Sequence, residues 1–205
     1  MIVTPVQAAN LIQNGSFETA TVNPNPGTSY ITLGVGSTVI TGWTVSQGTI
    51  DYKGTLWQAS NGSRSLDLGA GASPGGIKQT FNTTVGGTYR VTFDLAGNPD
   101  GNPTIKEMRV SAGGSSADFS FDTTGKSRSN MGWVSKSWGF TATGTTTTLS
   151  FLNLADTAYG PALDNVSVIA LSPPPTPTSI PEPSSMLGLL SLGVLGIGSA
   201  LKRQS

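Results

Sequence analysis

Tyr89, Val91, Phe93 and Leu95 alternate with Arg90, Thr92 and Asp94, the period of a strand with one buried face. The alternation returns at Met108, Val110 and Ala112, at Phe119 and Phe121, at Trp138, Phe140 and Ala142, and at Leu149 and Phe151. Between these runs stand Gly75-Gly76, Gly86-Gly87, Asn98-Pro99-Asp100-Gly101 and Gly113-Gly114, all of them chain-turning sequences. No window before the C-terminal end carries a helical period. Short strands and regular turns, with Thr and Gly in quantity, predict an all-β domain from Asn10 to Leu171, an antiparallel sandwich of jelly-roll type.

The stretch from Gly160 to Ile169 predicts the closing strand. Strict alternation puts Asp164 on one face with Val166, Val168 and Ala170, and Leu163, Asn165, Ser167 and Ile169 on the other. Asp164 is then expected to point with the valines toward the core, where a carboxylate costs several kcal/mol, in rough terms, unless a cation or a set of donors receives it. A second carboxylate, Glu18, follows the aromatic Phe17 in Asn14-Gly15-Ser16-Phe17-Glu18. If the first and last strands lie side by side, Glu18 and Asp164 can clamp one hard cation, with Ca²⁺ the best match and backbone carbonyls completing its shell. The competing reading is a pair of rim carboxylates satisfied by backbone N–H groups or by Arg64.

Composition narrows the chemistry. Of the 205 residues 11% are charged, Lys+Arg and Asp+Glu balance at 11 each, and no basic block occurs, so nucleic acid is not an expected partner. With neither His nor Cys, the chain has no disulfides, Cys/His zinc sites, His-dependent triads or thiol nucleophiles of its own. Residues 1–9 read as the remnant of a signal peptide, Val6-Gln7-Ala8 fitting a small-x-small cleavage site, with the charged and apolar regions expected upstream of Met1. Residues 172–180, rich in Pro and Thr, read as an extended linker. The uncharged stretch 186–201 then predicts a single C-terminal transmembrane helix of about 24 Å, slightly short of a hydrocarbon core of roughly 30 Å, with Lys202 and Arg203 on the cytoplasmic side.

Pro181-Glu182-Pro183, the apolar stretch and the basic end Lys202-Arg203 resemble the PEP-CTERM sorting signal of Gram-negative bacteria and cyanobacteria, here over residues 181–205. The resemblance implies export, transient retention in the inner membrane, processing by an exosortase, and delivery to the cell surface or to an extracellular biofilm matrix. The basic end is thinner than the Arg-rich tails common in that group. The folded part resembles the choice-of-anchor C family and, more remotely, the plant cell-wall six-forty-two unknown-function family. Asn14-Gly15-Ser16-Phe17-Glu18, Gly48-Thr49-Ile50-Asp51-Tyr52, Trp57-Gln58-Ala59-Ser60, Gly62 to Leu68, Asn130-Met131-Gly132-Trp133 and Gly160 to Val166 carry it. That family is similar to galactose-binding-domain-like jelly rolls, many of them carbohydrate-binding modules. In those an early Glu like Glu18 and a last-strand Asp like Asp164 commonly hold structural Ca²⁺.

Trp57 and Trp133 lie among polar turn residues and are candidate ligand platforms, together with Arg64; Trp138 has the parity of Phe140 and is assigned to the core. Arg64 with Asp67, and Arg90 with Asp94, read as solvated charges on sheet faces. The Asn-x-Ser/Thr sequences at Asn14, Asn61, Asn82 and Asn165 read as coincidental turn residues. A glycosidase needs two carboxylates about 5 to 9 Å apart across a cleft, and the acidic residues here are scattered singly. The expected function is therefore a non-catalytic binding module for polysaccharide of the matrix or cell wall. The alternative is a structural matrix or envelope protein acting through self-association or protein contacts without a sugar site.

Overall fold

The computed structural model describes residues 9–24, 29–71 and 73–172. They belong to one compact unit bounded by residues 1–174; residues 175–205 are a separate unit. The cleavage-site segment, most of the Pro/Thr linker, Pro181-Glu182-Pro183 and the expected helix at 186–201 lie outside the described residues.

Among the described residues there are eleven strands and no helix: β1 (Tyr30–Gly34), β2 (Thr44–Gln47), β3 (Thr49–Lys53), β4 (Ser65–Asp67), β5 (Gly76–Asn82), β6 (Thr88–Gly97), β7 (Ile105–Ala112), β8 (Ser115–Asp122), β9 (Val134–Thr141), β10 (Thr146–Asn153) and β11 (Pro161–Ser172). A six-stranded sheet in the order β1-β3-β4-β11-β6-β9 packs on a five-stranded sheet in the order β2-β5-β10-β7-β8, and neighbouring strands are antiparallel throughout. This is the expected sandwich. Each alternating run of the sequence is a strand in it, with Tyr89, Val91, Phe93 and Leu95 of β6 buried between the sheets. Gly113 and Gly114, both at positive φ, make the two-residue turn between β7 and β8.

Phe17, Trp43, Phe151, Phe93 and Phe119 form a relay of aromatic rings through the core, with centroids 5.2 to 6.4 Å apart. Trp138, half-buried on edge strand β9, packs against this core and against Phe140. The relay begins in the N-terminal segment, which runs alongside the second half of β11: Leu11 N–H donates to the Val168 carbonyl (2.8 Å) and Val166 N–H to the Gly15 carbonyl (2.9 Å). The first and last segments are therefore neighbours, as expected. The approach is so close that a Cβ on Gly15 would stand 1.9 Å from the Val166 carbonyl oxygen.

One expectation about β11 is corrected. Between Asp164↔Asp94 and Ser167↔Thr92 the strand spends three residues against two of β6, a bulge with Asn165 at φ 52°. A single extra residue reverses the parity of everything beyond it. Leu163, paired with Leu95, and Val168, paired with Val91, both face the core, whereas Asp164, paired with Asp94, faces away from it. Asp164 is buried nonetheless, at 0% exposure. What covers it is a loop, and that loop leads to the site.

Candidate functional site

The outward face of β1, β3 and β4 has an unusual composition. Strand register sets Thr32, Asp51 and Asp67 in one row across the three strands, and Tyr30, Lys53 and Ser65 in the next. Asp51 and Lys53 are there because they alternate with Ile50 and Tyr52, which belong to the core. Such a face is ordinarily wet. Here Lys53 (3% exposed), Asp51, Ser65 and Asp67 are all buried, so their charges must be met inside the protein.

They are met by one another. Lys53 Nζ lies 2.9 Å from Asp51 Oδ2 and 3.5 Å from Asp67 Oδ2, and over the rings of Tyr30 and Trp57 at 4.4 and 4.8 Å from their centroids. Asp51 Oδ1 accepts from the Thr32 hydroxyl (2.6 Å). Asp67, deepest of the group, accepts from Asn98 Nδ2 (2.7 Å) and from the Gly69 and Gly160 amides (3.0 Å each). Burial pushes its carboxyl up to about 7 against the pull of Lys53, Asn98 and Gly69. The expectation of a solvated Asp67 fails because the loops after β6 and β10 close over it.

Above this floor are two depressions that share Leu56 and Arg128. The inner hollow, about 350 Å³, is lined by Asp51 and Lys53 at its base, Asn98, Asp100 and Arg128 at its side, and the part-exposed rings of Tyr30 and Tyr159. Buried Lys106 fixes its wall, donating to the Gly101 carbonyl (2.6 Å) and the Tyr159 carbonyl (2.7 Å). Arg128 is paired in turn with Asp100 at 2.9 to 3.0 Å. The outer depression, about 650 Å³, runs along Gly54 to Ala59, Gly62 and Ser63, with Arg128 and Ser129 opposite.

The loop that walls the outer depression is held by the residues the sequence singled out. Asp164 Oδ2 accepts from the Ser60 and Asn61 amides (2.8 and 2.9 Å), and Oδ1 from the Asn165 amide (2.6 Å). Glu18 Oε1 accepts from the Ser63 and Arg64 amides (2.8 Å each), and Oε2 from the Ser63 hydroxyl (2.9 Å). The two carboxylates thus converge on one loop, as donor-satisfied rim groups. Their oxygens are faced by amide and hydroxyl hydrogens, and no group of three or more acidic residues close enough to share a metal occurs among the described residues. Burial lifts the Asp164 carboxyl to about 7, outweighing the amides of Asn61, Asn165 and Ser60.

Trp57, which lines the outer depression, and Trp133 also brace the same loop. Trp57 is 4% exposed, donates from Nε1 to Ser65 Oγ (2.7 Å) and has Lys53 against its ring. Trp133, half-buried, donates from Nε1 to the Gln58 carbonyl (2.8 Å). Arg64 is not among the residues lining either depression; its guanidinium sits beside the Tyr52 hydroxyl, opposing the rise that burial gives that group. Tyr30, Asp51, Lys53, Asn98 and Tyr159, which line the hollow, were not legible as a set. An acid and a base two apart on a strand are the pattern of a surface pair, and Asn98 and Tyr159 come from distant loops.

A family model described as protein of unknown function (DUF642) matches residues 10–169, and one described as the PEP-CTERM protein-sorting motif matches residues 179–204. Over 171 residues the chain is 36% identical to halomucin of Haloquadratum walsbyi, a match that takes in 82% of this chain but only 2% of that protein's length. Among solved structures, the N-terminal CBM22-1–CBM22-2 tandem domain of Xyn10C from Paenibacillus barcinonensis aligns with a TM-score of 0.52 at 15% identity, over 86% of this chain and 49% of that one. A family 35 carbohydrate binding module from Clostridium thermocellum aligns at 0.43 and 15% identity, over 68% and 90%. The sandwich is thus of the kind found in carbohydrate-binding modules.

Proposed function

The chain belongs to the DUF642 family, and from that premise we propose that it is an exported, surface-sorted, non-catalytic module that binds polysaccharide of an extracellular matrix or cell wall. The observation that carries this reading is the inner hollow on the outward face of the six-stranded sheet, where hydrogen-bonding side chains stand between the rings of Tyr30 and Tyr159, with the outer depression adjoining it. Sugars ask for that mixture, hydroxyls for the polar groups and C–H faces for the rings. The carbohydrate-module fold and the sorting motif support it. The motif also supports an exosortase as processing partner, with the inner membrane as a way station.

The way the carboxylates are used supports binding without catalysis. Asp51 and Asp67 share one ammonium, and Asp67 is sealed beneath the hollow at 0% exposure with both oxygens engaged. It is in no position to exchange a proton with a glycosidic oxygen. Calorimetric titration of the protein with a polysaccharide panel, including the host's own exopolysaccharide, tests the proposal. Saturable binding is expected; a folded protein that binds none of them would turn the assignment to a structural matrix protein.

A further inference from the structure

We infer that the inner hollow is a subsite for a single neutral pyranose unit and that it rejects sugars carrying a carboxylate; the inference rests on the polysaccharide-binding reading and specifies it. The charges at the hollow cancel in pairs. Lys53 is matched by Asp51 and Arg128 by Asp100, each at 2.9 to 3.0 Å, with Asp67 as a further acceptor below Lys53. A uronate would find no unengaged cation there and would bring its charge against Asp51 and Asp100. A neutral sugar meets no such penalty.

What the hollow does offer suits hydroxyl groups. Each oxygen of a carboxylate has two lone-pair sites, and Asp51 uses one on Oδ1 for Thr32 and one on Oδ2 for Lys53. Asn98 commits its carbonyl to the Asp100 amide and Nδ2 to Asp67, and that Nδ2 has a second hydrogen to give. An acceptor pair and a donor at the base of a pocket match two adjacent ring hydroxyls. Tyr30 and Tyr159, 38% and 40% exposed, bring the aromatic surface against which a pyranose face packs. A buried ionic group could be replaced by apolar packing at little cost to stability, so keeping one at the base of an open hollow points to use by a ligand. The outer depression, joined across Leu56 and Arg128, lies where the next units of a chain would continue.

The test titrates the full-length protein, held in mild detergent, with neutral and uronic oligosaccharides of matched length, by calorimetry. Neutral oligosaccharides are expected to bind at least about tenfold more tightly than uronic ones. Asp51→Asn and, independently, Tyr159→Ala should each weaken neutral binding about tenfold or more. Tyr159→Ala removes only a rim ring, because the Lys106 contact is to the Tyr159 backbone carbonyl, so it reports even if Asp51→Asn does not fold. Asp100→Asn, which frees Arg128, should raise affinity for uronic sugars. Equal affinity for the two classes overturns the inference, as does polysaccharide binding that neither the Asp51 nor the Tyr159 variant weakens; in both cases the general binding function stands. No binding to any polysaccharide or oligosaccharide overturns both.

Discussion

Two of the buried carboxylates make the stability of this domain depend on pH in an uncommon direction. Asp67 and Asp164 both sit at about 7 in the folded protein against an ordinary 3.8, burial being the largest cause for each. Between those values the folded state holds protons that the unfolded state has released, so stability is fully present below about pH 4 and is lost as pH rises toward 7. At about 1.4 kcal/mol per pH unit per group, the interval from pH 5 to 7 is worth up to about 2.7 kcal/mol for each, and roughly 3 to 5 kcal/mol for both together. Asp118 and Asp122, exposed and held below the ordinary value by hydrogen bonds from Arg109 and Thr124, act in the opposite sense, but only below about pH 4. The assay is urea unfolding at pH 5, 6, 7 and 8, each with calcium and with a chelator, on wild type and Asp164→Asn. Wild-type stability should fall across the series, and the variant, a permanent stand-in for the protonated carboxyl, should remove about half of the slope. Chelator should change neither curve. Calcium held by Glu18 and Asp164 would depress the Asp164 carboxyl and make stability rise with pH, lost again in chelator; that outcome would refute the donor-latched loop.

Gly15→Ala drives a methyl into the Val166 carbonyl and should cost roughly 3 kcal/mol or more, through one or two lost backbone hydrogen bonds and the groups they strand; thermal unfolding measures it, and a shift under about 2 °C would contradict the tight seam with β11. Trp57→Ala is expected to lower stability by about 3 to 5 kcal/mol, because it empties a buried site and uncovers Lys53. Any loss of sugar binding in that variant should therefore track its unfolding, and a stable variant that loses binding would restore Trp57 as a ligand platform. Lys106→Met releases the Gly101 and Tyr159 carbonyls that shape the hollow; it should weaken oligosaccharide binding while hydrogen exchange speeds up at residues 98–103 and 155–160, and unchanged exchange there would count against a wall-fixing role.

Alternation alone placed β6 to β11 and the sandwich, since a half-buried strand must repeat every two residues. That the N-terminal segment lies beside β11, the condition on which Glu18 and Asp164 were paired, came from the tertiary structure. The side of the sheet on which Asp164 lies was misread for a local reason. Alternation counts residues, and the bulge at Asn165 adds one, which turns Asp164 from the core side to the side under the 57–64 loop. Polar neighbours in sequence suggest exposed tryptophans, but Trp57 and Trp133 are buried and half-buried and spend their indole N–H groups on Ser65 and Gln58.

By itself, then, the sequence determined the all-β class, the order of the strands along the chain, the low and balanced charge that argues against nucleic acid, and the sorting motif at its end, because each is written in local pattern or composition. Only the tertiary structure decided which side of the sheet Asp164 occupies, and that Asp51, Lys53, Asn98, Tyr30 and Tyr159 share one hollow. Register across β1, β3 and β4 and the closure of two distant loops set that meeting, and both depend on contacts between residues far apart in sequence, which no short-range pattern records.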